Sequence, residues 1–343
     1  MIDRRTLLRH GFNLGVASLL VRPAFAAGDW AATVAAAKKE GRASLYSSGI
    51  ARVEEPLMAE FGRASGIAVD YSRPGGGEII MRKYEQEVGS GAGSADVLWL
   101  SDYALGLYAR EKGWAATPDL PNLAALGKVF AAKDPGIFPT GGFGMTIVVN
   151  DKLVPEGTEP RRYADLVDPR YKGQIVFGAP ENAGTSTLLI KALVEQHGWD
   201  FVKALRANEA GEMRLQAEAM QAVARGEKAI CVVAQAWAFL YRQQDAPIRI
   251  VFPEDGTVLA RYCMIVSAKS TRPAAAAVLA DHLLSAAHQK VIVEKTGMYC
   301  SNAGAPTPKG MPSLTDLRIY EPDLVELTAK RGEVLDTWRK IMG

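Results

Sequence analysis

The stretch Ala43–Tyr71, ASLYSSGIARVEEPLMAEFGRASGIAVDY, changes its apolar period twice. Ala43 to Tyr46 is a short apolar strand. Val53, Leu57, Met58 and Phe61 then fall on one face of a helix over Val53–Ala64, and Gly66 stops it. Ile67 to Tyr71 returns to alternation. Strand, helix, strand in that order is a crossover unit, whose strands pair in parallel while the helix covers one face.

The same alternation continues on both sides. Trp30–Glu40 is an Ala-rich helix stopped by Gly41. After Gly75-Gly76-Gly77 come a helix at Glu78–Val88, a strand at Val97–Leu100 and a helix at Tyr103–Lys112 closed by Gly113. Residues 116–139, rich in Pro, Gly and Asn, read as an irregular connection. Gly144–Asn150 is a strong β run that opens a second set. It continues with a strand at Gln174–Phe177 and helices at Thr185–His197, Phe201–Ala207 and Gln216–Arg225. A strand at Ala229–Val233, a helix at Ala236–Gln243 and a strand at Ile248–Phe252 complete that set. Val258–Val266 is a strand long enough to pass between two bodies. Helices at Pro273–Ser285, Ala287–Glu294 and Pro322–Met342 end the chain, the first with Pro in its first turn. The pattern predicts an α/β protein with two doubly wound sheets, in keeping with 343 residues.

Composition removes several functions. A formal net charge of +2 leaves no basic footprint for nucleic acid. Cys231, Cys263 and Cys300 form no C-x-x-C pair, which argues against zinc ribbons and thioredoxin-type sites and allows at most one internal disulfide. His197, His282 and His288 lie in expected helices. No G-x-S-x-G, phosphate-loop or G-x-G-x-x-G element follows a strand, so no enzyme is expected.

The N-terminus reads as an export signal. Arg4 and Arg5 open a basic region, Gly11–Val21 is uncharged and apolar, and Ala24-Phe25-Ala26 fits an A-x-A cleavage site. The apolar run makes roughly 16 Å of helix at ~1.5 Å per residue, too short for a ~30 Å hydrocarbon core. Residues 1–26 are therefore expected to be cleaved, and Asp3-Arg4-Arg5-Thr6-Leu7-Leu8-Arg9 resembles the twin-arginine consensus. The mature chain is expected to be a soluble periplasmic monomer.

Five passages stand in order along the mature chain. Tyr46-Ser47-Ser48-Gly49 follows the first strand, and Ala95-Asp96-Val97-Leu98-Trp99 forms the third. Residues 165–175 read DLVDPRYKGQI. Ala246-Pro247 precedes Pro253-Glu254-Asp255-Gly256-Thr257, and residues 283–289 read LLSAAHQ. Together they resemble the family-1 extracellular solute-binding proteins, in the branch of ferric-ion, thiamine and 2-aminoethylphosphonate receptors. The resemblance implies a two-lobed periplasmic binding protein of type II, each lobe a doubly wound sheet, joined by two crossing strands near residues 140–150 and 254–262. The expected lobes are residues 28–142 plus 258–343, and residues 143–257. A small-molecule ligand would lie between them without a cofactor, and the partner would be the permease of an ABC importer.

Such a cleft holds a polar solute without covalent chemistry, and helix N-termini suit it through free N–H groups and a positive dipole end. Two loops qualify: Ser47-Ser48-Gly49, and Glu181-Asn182-Ala183-Gly184-Thr185-Ser186-Thr187, where the plainer role of Thr185 or Ser186 is to cap its own helix. Gly76 is a third candidate or a flexible connector. Ser101 and Asp102 sit at a strand's carboxyl end, where Asp102 either receives an ammonium or metal or caps the helix from Tyr103. Gln235 and Trp237 flank another strand-to-helix junction, and Arg261 on the second crossing faces either ligand or solvent. In the ferric-ion branch two adjacent tyrosines follow the late strand of the second lobe. The matching stretch here, Ala234-Gln235-Ala236-Trp237-Ala238, has none. The expected ligand is a phosphonate, phosphate ester or carboxylate. The alternatives are a thiamine-like or polyamine cation, an iron complex, or a sensing role beside a membrane receptor kinase.

Overall fold

The computed structural model describes residues 30–91 and 94–343; the expected signal, residues 1–26, lies outside them. The chain runs α1 (Trp30–Glu40), β1 (Arg42–Ser47), α2 (Ala51–Ser65), β2 (Ala68–Ser72), α3 (Gly77–Ser90), β3 (Val97–Leu100), α4 (Tyr103–Glu111) and β4 (Ala115–Ala116). It continues with β5 (Phe138–Asn150), β6 (Ile175–Gly178), α5 (Gly184–Ala207), β7 (Gly211–Met213), α6 (Gln216–Arg225), β8 (Ile230–Ala234), α7 (Gln235–Arg242) and β9 (Ile248–Val251). It ends with β10 (Thr257–Ser267), α8 (Pro273–Leu283), α9 (Ala286–Thr296), β11 (Tyr299–Cys300), β12 (Ile319–Tyr320) and α10 (Leu324–Met342).

Strand order is β2-β1-β3-β10-β5-β8-β6-β7. Each end of this path is parallel, as crossover units demand: β1 with β2 and β3, and β6 with β7 and β8. The middle is antiparallel, because β5 and β10 run against each other and against β8 and β3. The sheets are therefore mixed rather than wholly parallel. β5 belongs to both: Phe138–Gly144 lies beside β10 and β11, and Met145–Asn150 beside β8 and β9. Its first half begins at Phe138 and Pro139, the end of the stretch expected to be irregular, and carries Gly141 and Gly142. A Cβ at Gly141, where φ is 146°, would stand 2.3 Å from Tyr299 O. These glycines mark close backbone approach rather than a loop.

Gly198, at φ 77°, breaks α5 between the two helices expected there. The C-terminal helix packs on elements of the second set of strands. α10 lies along α5, and Trp338, 1% exposed, stands edge-on to Phe177 of β6 and donates Nε1 to Glu212 Oε1 at 2.7 Å. Its apolar face is thus buried on the second set.

One buried group makes stability depend on pH. His288, 3% exposed on α9, has no partner on either ring nitrogen and lies 5.1 Å from the ring of His282 and 6.2 Å from that of Trp99. Burial, with His282 beside it, pushes its pKa down to about 3; burial also lowers His282, which leans on Phe61. The unfolded chain binds protons below about pH 6.5 and the folded chain resists them, so stability is full above that pH and falls toward pH 3. Urea midpoints at pH 7 and pH 5 are expected to show the drop, and His288→Leu a smaller one. Equal drops in both proteins would contradict it.

Candidate functional site

In crossover units each helix begins at the carboxyl end of its strand. Here α2, α3 and α4 begin after β1, β2 and β3, while α5, α6 and α7 begin after β6, β7 and β8. All six starts line one cleft of about 710 Å³. Asp102 caps α4 by accepting from Ala104 N at 2.9 Å. The other five begin after Ile50, Gly76, Ala183, Leu215 and Ala234, and none has a side-chain cap. Each therefore presents unpaired first-turn N–H groups and the positive end of its dipole to one space. Among the described residues, the amides of Gly184 and Thr185 meet no acceptor.

The sequence candidates divide between the cleft and its supporting wall. Ser48, Gly49, Gly76, Ser101, Asp102, Asn182, Gly184, Thr185 and Trp237 line the cleft. Ser48 is spent on the first sheet, since both its N–H and its Oγ donate to Trp99 O, at 3.0 and 3.1 Å. Trp237 is 37% exposed. Asn182 Nδ2 donates to Arg214 O at 3.0 Å. A Cβ on Gly184 would lie 3.5 Å from Asp102 Oδ2, so the two sides of the cleft nearly touch there.

Four candidates do not reach the cleft. Ser47 is fully buried, its Oγ accepting from Gly49 N at 3.0 Å. Ser186 is buried behind the helix start. Gln235 is fully buried and donates to Gly297 O at 2.8 Å. Arg261 lines an adjoining cavity of about 210 Å³, which shares Ser101, Asp102, Gly184 and Thr185 with the cleft, and donates to Val129 O at 2.6 Å, with Glu321 as its ion pair. Ser47, Gln235 and Arg261 answer backbone or ion-pair needs, and Ser186 a side-chain amide, that position in sequence does not reveal.

Three lining residues were not legible beforehand. Gln216, 5% exposed, donates Nε2 to Thr185 Oγ1 at 3.0 Å and to Ser186 Oγ at 2.9 Å, and accepts from Ala234 N at 2.9 Å. It ties the starts of α5, α6 and α7 together, and neither hydroxyl caps α5. Glu54, 3% exposed, accepts from Tyr71 OH at 2.8 Å and fills the space a Cβ on Gly49 would need, 1.7 Å from its Oε1. Arg331 arrives from α10.

Arg52, Arg73, Arg82 and Arg331 face Glu54, Glu78, Asp102 and Glu181 in the lining. Among the described residues the first three arginines make no ion pair. Burial raises the pKa of Glu54 and Asp102, which weakens the acidic side of that balance. The helix ends, each worth roughly half a positive charge, tip it further. Burial pushes Tyr262 up to about 12, so at neutral pH it presents a phenol; among the described residues no His lines the cleft. The arrangement offers N–H and guanidinium donors without a nucleophile beside a base, which suits reversible capture of an anion.

Known proteins share this architecture. The fold matches the fructose-6-phosphate-bound periplasmic binding protein AfuA of Actinobacillus pleuropneumoniae with a TM-score of 0.73 at 23% identity, over 88% of this chain and 99% of that one. It matches iron-bound HitA of Pseudomonas aeruginosa with a TM-score of 0.74 at 19% identity, over 88% and 99%. An uncharacterized protein of Haemophilus influenzae is 30% identical over 122 residues, and the match spans about a third of each chain (34%). A family model covers most of the described chain, including four of the six strands that precede the helix starts, β3, β6, β7 and β8, and both long central strands. On that match, over residues 95–320, the chain belongs to the bacterial extracellular solute-binding proteins.

Proposed function

We propose that this chain is the periplasmic substrate-binding component of an ABC importer and that it captures a small anion, a phosphonate, phosphate ester or carboxylate. The family is one of solute binders rather than enzymes. The observation that carries the ligand class is the convergence of five uncapped helix starts and four arginines on one cleft. The fructose 6-phosphate held by AfuA, a protein of the same fold, is in keeping with it. A lining with one tyrosine and no histidine disfavours bare ferric ion. The proposed lobes meet at β5 and β10, with residues 143–257 as the inner one and α10 reaching back onto it. The proposed export route is the twin-arginine one, from Arg4 and Arg5.

Calorimetry on ligand-free protein tests this reading with fructose 6-phosphate, 2-aminoethylphosphonate, citrate and phosphate beside fructose and thiamine. Binding is expected among the anions alone. Thiamine or fructose binding, with every anion inert, would overturn it. No helix among the described residues is long and apolar enough to cross a membrane.

A further inference from the structure

We propose that Arg331, delivered by the C-terminal helix, is an anion-contacting residue of the cleft, and that Glu78 holds its guanidinium in place until a ligand takes over. This rests on the anion-binding reading above. α10 is fastened to the α5 side at both ends. In its first turn Glu326 pairs with Lys191, whose side chain is 8% exposed and which also binds Glu195 at 3.0 Å. Near its last turn Trp338 is buried against Phe177 and bonded to Glu212. Between these anchors the helix is broken at Lys330, where φ is −112° and ψ 15°, and the next residue, Arg331, lines the cleft.

Arg331 Nη2 stands 3.1 Å from Glu78 Oε1. Glu78 belongs to the opposite set of strands, in the first turn of α3, a helix with no side-chain cap. The pair therefore spans the cleft. Its carboxylate occupies the setting that suits a ligand oxyanion, beside a guanidinium and an open helix start. With side chains 28% and 55% exposed, the pair holds itself together only weakly. Exchange of Glu78 for a bound anion is then cheap, and Arg331 gains a bidentate partner. The charge of Arg331 also reaches Asp102, the cap of α4.

The test uses the full mature chain with Arg331→Gln, Arg331→Lys and Glu78→Gln, titrated with the same four anions, and unfolding midpoints for each. Arg331→Gln is expected to weaken anion binding about tenfold, the scale of one charged hydrogen bond. Arg331→Lys is expected to recover part of it, keeping the charge but losing the fork. Glu78→Gln is expected to bind about threefold tighter, because a competing carboxylate is gone. A purely structural role would shift midpoints and give no tighter variant. If wild type binds an anion and Arg331→Gln stays within twofold, or Glu78→Gln binds more weakly, this inference falls and the anion reading stands. If wild type binds none of the four, both fall.

Discussion

Gly184→Pro is expected to weaken anion binding about tenfold to a hundredfold relative to Gly184→Ala. Gly184 is the first residue of α5, and Ala183 before it is extended at φ −152° and ψ 128°. Proline is well accommodated at that position, and an extended preceding residue is what it requires. The substitution therefore deletes one N–H while leaving the helix in place. Alanine is the matched control, since it adds a Cβ that would sit 3.5 Å from Asp102 Oδ2, an ordinary contact, and keeps the amide. A hydrogen bond from that amide to a charged oxygen is worth about 1.5–3 kcal/mol, which sets the expected ratio. Calorimetry on the pair reads it. Equal affinities would mean that the α5 amide touches no ligand.

Gln216→Ala is expected to cost about 2–4 kcal/mol of stability and most of the binding. Its amide joins three helix starts through Thr185 Oγ1, Ser186 Oγ and Ala234 N. Truncation leaves a buried backbone N–H and two hydroxyls short of a partner, at about 1–3 kcal/mol for each group that finds no substitute. Gln216→Glu separates the two effects. A carboxylate still accepts from Ala234 N, the hydroxyls can turn to donate, and α6 tolerates an acid in its first turn. Stability should fall less than with alanine, while the new negative charge repels an anion. Urea denaturation and calorimetry measure both. A Gln216→Glu variant that binds anions as wild type does would remove Gln216 from the site.

Much of this was legible from periodicity. The strand-helix-strand unit over Ala43–Tyr71 is present as β1, α2 and β2, with Met58 and Phe61 in the core. Parallel pairing is present at both ends of the strand order, β1 with β2 and β3 and β6 with β7 and β8, where strand and helix alternate locally. The antiparallel middle was not legible, because Phe138–Phe143 carries Pro139, Gly141 and Gly142, residues that read as a loop in isolation. Their reason is long-range: a Cβ on Gly142 would meet Ala260 O at 2.7 Å.

Glycines and short polar residues after strands were the legible signal, and nine of thirteen candidates line the cleft. The other four meet partners distant or hidden in sequence. A hydroxyl or amide beside a helix start bonds whatever the fold brings near it, and for Ser186 that is Gln216, thirty residues away. Gln235 and Arg261 likewise answer Gly297 and Glu321. Glu54 and Arg331 carry no local motif. Only the packing of α2 under Gly49 and of α10 on α5 brings them to the cleft.

Native mass spectrometry of the protein taken gently from the periplasm, followed by identification of whatever small molecule it releases, bears most directly on a cleft built from helix starts. The expected mass excess is one small solute that carries at least one acidic group and leaves as salt rises. A neutral or purely cationic solute, held at one copy per chain, would contradict the account.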